Sequence, residues 1–109
     1  IVFNYTDANN FMTVEFRSTG VYVRSVVAGT PTDVGSYLFT RKSTRNYVLR
    51  ALHYNRLVTV WIDGTERISE LDVGSTAFTA YGASTNHGYY WRSGGTSDYS
   101  GHLRIRAVA

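Results

Sequence analysis

The stretch STNHGYYWRSGGTSDYSG, from Ser84 to Gly101, carries the densest set of side chains able to do chemistry. Asn86, His87, Arg92 and Asp98 offer planar donors and acceptors. Tyr89, Tyr90, Trp91 and Tyr99 offer ring faces edged with a polar tip. Such a mixture suits a pyranose, whose apolar C–H face can lie on a ring while its hydroxyls meet planar polar groups. Tyr and Trp give large contact area with few rotors, and Ser, Gly and Asn adapt around them. On a strand, Tyr89 and Trp91 would face one way and Tyr90 and Arg92 the other. The competing reading of the same residues is structural, with Tyr89 and Trp91 inside and Tyr90 half-exposed. The ligand-binding set expected here is Asn86, His87, Tyr89, Tyr90, Trp91, Arg92, Asp98 and Tyr99.

The remaining reactive groups do not assemble into a catalytic motif. A glycosidase needs two carboxyl groups across a cleft, at about 5 Å or about 6.5 to 9.5 Å. Asp7, Asp33, Asp63 and Asp98 stand among turn-forming residues, where a short carboxylate accepts backbone N–H bonds. Glu15 points outward on an alternating strand, which leaves Glu66, Glu70 and Asp72 as the possible pair. There is no Gly-x-Ser-x-Gly elbow, and His53, His87 and His102 lack the spacing of helical zinc sites. The expectation is a non-catalytic chain. The chain has no Cys, which removes disulfides and thiolate metal sites. No cofactor is called for. Calcium is the one alternative, with Asp98, Asn86 and loop carbonyls as part of a shell, but the dense Asp/Asn spacing of a dedicated site is missing.

The elements that must position these groups read as β throughout. Met12, Val14 and Phe16 alternate with Thr13, Glu15 and Arg17, the pattern of a half-buried strand. Val21, Val23 and Val27 share the face of another, after a turn at Ser18–Gly20. Gly29 to Gly35, holding the single Pro, reads as a loop before Ser36–Arg41. Tyr47, Leu49 and Ala51 oppose Val48 and Leu52. Val58, Val60 and Ile62 alternate with Leu57, Thr59 and Trp61 up to Asp63-Gly64, a strong hairpin signal, and Arg67–Leu71 returns. Thr76–Ala83 and Leu103–Ala109 complete about nine short strands with almost no helix. The 109 residues fit one domain, 1–109. No apolar run approaches the ~20 residues of a membrane span. Ile1 opens inside a strand without Met, which reads as a piece of a longer polypeptide. Ten Arg and one Lys give a net charge of +3. They are scattered, with one cluster at Arg41, Lys42 and Arg45, and nucleic-acid binders usually gather theirs on one face.

VFNYTDANNFMTVEF and NRLVTVWIDG, with the closing Gly101–Arg106, resemble the concanavalin A-like (laminin G-like) jelly-roll superfamily of lectins, carbohydrate-binding modules and phage tail adhesion domains. The resemblance implies an all-β, antiparallel β-sandwich. It also implies a glycan or cell-surface polysaccharide as partner, beside other domains of the same chain and, in a homo-oligomer, further copies of it. A strand that normally precedes VFNY is missing, which leaves an edge open to association. The Glu-x-Asp-x-x-Glu motif of the superfamily's glucanases is absent. The resulting expectation is an extracellular or virion module that recognises surface carbohydrate, with neither nucleic acid nor membrane insertion. The alternatives are a structural or host-contact domain of a phage tail or fibre, and a degenerate glycoside hydrolase using Glu66, Glu70 or Asp72.

Overall fold

A computed structural model describes residues 1–42, 44–81 and 86–88. Among these residues seven antiparallel strands form two sheets, and within each sheet every strand pairs with its sequence neighbour. The first sheet is β1 (Val2–Asp7), β2 (Asn10–Arg17), β3 (Gly20–Val27) and β4 (Thr30–Leu38), in that order. The second is β5 (Leu49–Tyr54), β6 (Leu57–Ile62) and β7 (Thr65–Asp72). The all-β sandwich expected from the alternation is what the chain forms. Its described strands follow a simple meander in each sheet, without the crossed connections of a jelly roll.

The alternation works because one residue in two must leave water. Met12, Val14, Val21 and Val23 of the first sheet and Val58 and Val60 of the second are fully buried in one cluster. Each such side chain contributes about 1.5 to 3 kcal/mol relative to exposure. Short turns hold the register. Asp63-Gly64 takes positive φ at both residues, 50° and 81°, and so joins β6 to β7 as a type I′ hairpin. Ala28-Gly29 does the same between β3 and β4, with φ of 49° and 80°. That turn costs Ala28 a left-handed conformation. The Asn10 side chain braces it by accepting the Ala28 N–H at 3.1 Å.

Three expectations are corrected. Gly29–Gly35 is not a loop, because all but its first residue belongs to β4. β4 lies at the edge of its sheet, where Pro31 can occupy a strand without breaking a central ladder. Gly35 lies against the other sheet, where a β-carbon would stand 2.6 Å from Leu71 Cδ2. Glycine there permits the approach of β4 to β7. Asp33 is accordingly a strand residue and binds arginines, whereas a turn aspartate accepting backbone N–H groups was expected.

The segment from Thr76 is not a strand either. Ser75–Tyr81 is a helix, α1, packed against β2 and β3. Thr76, Phe78 and Ala80 alternate as a strand would, but Val73 and Ala77, four apart, are both buried. A window this short carries both periods, and packing decides between them. The entry is set locally, since Asp72 Oδ1 accepts the Gly74 N–H at 2.8 Å and Gly74 takes a φ of 91°. The expected strand Leu103–Ala109 lies outside the described residues.

Candidate functional site

Of the eight residues expected to bind a ligand, Asn86 and His87 are described. Tyr89, Tyr90, Trp91, Arg92, Asp98 and Tyr99 lie outside the described residues, as does His102. Asn86–Gly88 runs beside β1. Val2 and Gly88 exchange backbone bonds at 2.8 and 2.9 Å, and the Tyr5 N–H donates to the Asn86 carbonyl at 2.8 Å. His87 Nδ1 accepts the Asn4 N–H at 3.1 Å, at a kink where Asn4 has a φ of 51°. His87 therefore completes the β1 backbone with one ring nitrogen. Its ring meets Phe3 edge-on at 5.9 Å, and Phe3 meets His53 in the same way at 5.6 Å. His53 Nε2 is buried with no partner among the described residues. Burial, and then the neighbouring His87, hold the His53 imidazole below the ordinary histidine value.

A concave site among the described residues lies elsewhere. The end of β4, the segment running into Tyr47 and the β6–β7 hairpin enclose an open groove of about 340 Å³. This is at the small end of the ~300 to 1,000 Å³ typical of ligand pockets. Its floor is the aromatic end of the core. Tyr37 and Phe39 fall on one face because strand side chains repeat every second residue. They join Phe16 and Tyr47 in a cluster with ring centroids 5.1 to 5.8 Å apart. The Tyr47 hydroxyl accepts the Lys42 N–H at 3.0 Å, which ties the connecting segment to this floor.

Charged groups form the rim. The Arg45 guanidinium lies 4.5 Å over the Tyr47 ring, and that of Arg67 lies 4.9 Å over Tyr37. Asp63, in the hairpin turn, is already engaged: Oδ2 pairs with Arg45 and Oδ1 accepts the Val48 N–H at 2.8 Å. Ile62 and Thr65 complete the wall.

Arg67 reaches the rim through a bulge. Val60 pairs with Ile68 and the adjacent Trp61 with Glu66, so Arg67 is the extra residue on β7. A bulge leaves its extra residue out of the ladder and can re-aim that side chain. Ile68 thus stays buried in the core while Arg67 turns to Tyr37. A second irregularity follows. Two residues of β7, Ser69 and Glu70, stand opposite the single β6 residue Thr59 between Val58 and Val60, and Glu70 adopts a φ of 44°. The Glu70 N–H there donates to the Thr59 hydroxyl at 3.1 Å.

Sequence reasoning missed this groove. The available signal was Tyr37 and Phe39 at strand spacing, then the basic cluster Arg41, Lys42 and Arg45, then Tyr47. What the sequence does not show is that Asp63 and Arg67 fold back onto that stretch. Of the carboxylates weighed for catalysis, Asp72 forms an exposed pair with Arg56 at 2.6 Å, and Glu70 lies in the second irregularity of β7. Among the described residues, no three His, Asp or Glu side chains converge as a metal site would require. No described helix is long and apolar enough to cross a membrane. No family model, no curated protein and no solved structure matches the chain.

Proposed function

We propose that this domain is a non-catalytic recognition module that binds saccharide in the groove between β4 and the β6–β7 hairpin, on a cell surface or virion. One observation carries the reading: two tyrosines capped by arginines, beside Phe39 and Thr65, surround a concavity of about 340 Å³. Ring edges and Phe39 offer apolar contact to a sugar's C–H face. Stacking uses the face of the guanidinium fork and leaves its edge, so the in-plane N–H groups of Arg67 are presented to hydroxyls, while Arg45 already gives one to Asp63. An open site of this size supports affinities on the order of millimolar to micromolar, about −4 to −8 kcal/mol. Several copies acting together would then supply useful avidity. The fold itself does not carry the proposal, since one sandwich serves many functions.

The test is a glycan array read with the parent chain, Tyr37→Ala and Tyr90→Ala, each checked for folding by circular dichroism. Binding that disappears in Tyr37→Ala and persists in Tyr90→Ala supports the groove. The reverse pattern moves the site to the stretch around Tyr89–Arg92. Retention of no saccharide by any folded form overturns the reading.

A further inference from the structure

We infer that the groove selects acidic saccharides, with Arg67 receiving the anionic substituent while the sugar ring lies toward Tyr37 and Phe39. This rests on the saccharide reading and adds the chemical class of the ligand.

Three observations carry it. The first is charge: Arg45 and Arg67 face one carboxylate, Asp63, which is held by Arg45 and by the Val48 N–H. Among the described residues Arg67 has no carboxylate partner, and its guanidinium lies over the face of Tyr37. The neighbouring Glu66 does not answer it, because the register places Glu66 opposite Trp61, on the outer side of the sheet. The second is placement. Arg67 is exposed, and the β7 bulge turns it toward the groove without altering the burial of Ile68. A bulge that re-aims one side chain next to a concavity is a recurrent feature of functional sites. The third is geometry: a guanidinium presents five N–H donors in a rigid fork that matches a carboxylate or sulfate bidentately. Tyr37 beneath it limits the orientations of that fork, so less freedom is lost when an anion binds.

The measurement is titration of the intact chain with uronate, sialylated and sulfated oligosaccharides. Each is paired with a neutral counterpart, the methyl ester for the carboxylates and the desulfated chain for the sulfates. The expected result is an acidic form bound at least about tenfold more tightly than its neutral counterpart, the scale of one charge-assisted pair. Arg67→Gln should abolish that preference, costing the acidic form much more affinity than the neutral form, while circular dichroism shows the fold unchanged. The preferred acidic form should weaken with added salt, and the neutral form should not. Whether uronates or sulfated chains win identifies the source of the anion. Equal binding of acidic and neutral forms, or an acidic preference that survives Arg67→Gln, overturns the inference but leaves the saccharide reading standing. Binding of neither form overturns both.

Discussion

Two clusters in this molecule have nearly the same parts and different outcomes. On the outer face of the first sheet, Arg17 lies 4.0 Å over the Tyr22 ring, as Arg67 lies over Tyr37 at the groove. There the charges close. Asp33 accepts from Arg17 at 3.0 and 3.1 Å and from Arg24 at 2.9 Å, while Glu15 receives Arg17 at 3.3 Å and the Thr13 hydroxyl at 2.9 Å. Two arginines meet two carboxylates across β2, β3 and β4, beside an irregularity of that sheet where Val34 is the extra residue next to Asp33. At the groove, two arginines meet one carboxylate across a concavity, and a bulge holds the second cation out of the ladder. An arginine over a tyrosine is thus a surface brace where its fork is answered, and keeps an open fork where it is not. The aromatic contact is common to both clusters, and the charge balance separates them.

The largest expected effect comes from removing the floor that only the groove possesses. Tyr47→Ala deletes a ring packed on Phe16 and Phe39 and leaves the Lys42 N–H without its acceptor. A loss of about 2 to 3 kcal/mol by chemical denaturation is expected, somewhat below the cost of a fully buried aromatic. Binding should be lost with it. Next comes Asp63→Ala, which forces alanine into a left-handed turn and leaves the Val48 N–H unpaired. That should cost about 1 to 2 kcal/mol. Asp63→Asn keeps the turn and an acceptor oxygen and should recover most of this stability. It also raises the groove's positive charge, so its affinity for an acidic saccharide should rise.

A smaller effect is expected in the closed cluster. Its ion pairs are partly exposed, so Asp33→Asn should cost less than about 1 kcal/mol and leave saccharide binding untouched. Equal damage to binding from Asp33→Asn and Arg67→Gln would erase the distinction between the clusters. Hydrogen bonds from Arg17 and then Arg24 hold the Asp33 carboxyl down at about 2. Its contribution to stability is therefore complete above the ordinary carboxylate value of 3.8 and is lost as pH falls through about 2. Acid unfolding followed by tryptophan fluorescence should show that limb shortened in Asp33→Asn.

The smallest expected effect lies away from both clusters, at His53. Its imidazole is held below the ordinary value of 6.5 by burial first and by His87 second. The unfolded chain then takes up a proton that the folded chain resists. Stability is full above pH 6.5 and declines as pH falls through the lower native value. The melting temperature should drop between neutral and mildly acidic pH, and His53→Phe should flatten that decline. A decline of the same size in the variant would remove His53 as its source.

Much of the fold was legible in local pattern. The faces of β2, β3 and β6 and the turn at Asp63-Gly64 follow from period-two alternation and from residues that tolerate positive φ. The failures have local causes as well. Pro31 and Gly35 signal a break in an isolated reading, but they are tolerated on an edge strand that must approach Leu71. Ser75–Tyr81 is helical because burying Val73 and Ala77 together outweighs a two-residue alternation in a short window.

Of the expected ligand set, the structure places Asn86 and His87 against the backbone of β1. The groove was legible only in half: Tyr37, Phe39 and Tyr47 with the basic cluster beside them are visible as an aromatic and cationic stretch. By itself the sequence determined the strand faces, the hairpin turn and the excess of arginine over acid, since each depends on neighbours along the chain. The tertiary structure alone decided which carboxylate answers which arginine and where a concavity forms. Those depend on the bulge in β7 and on the approach of two sheets whose facing residues are far apart in the chain.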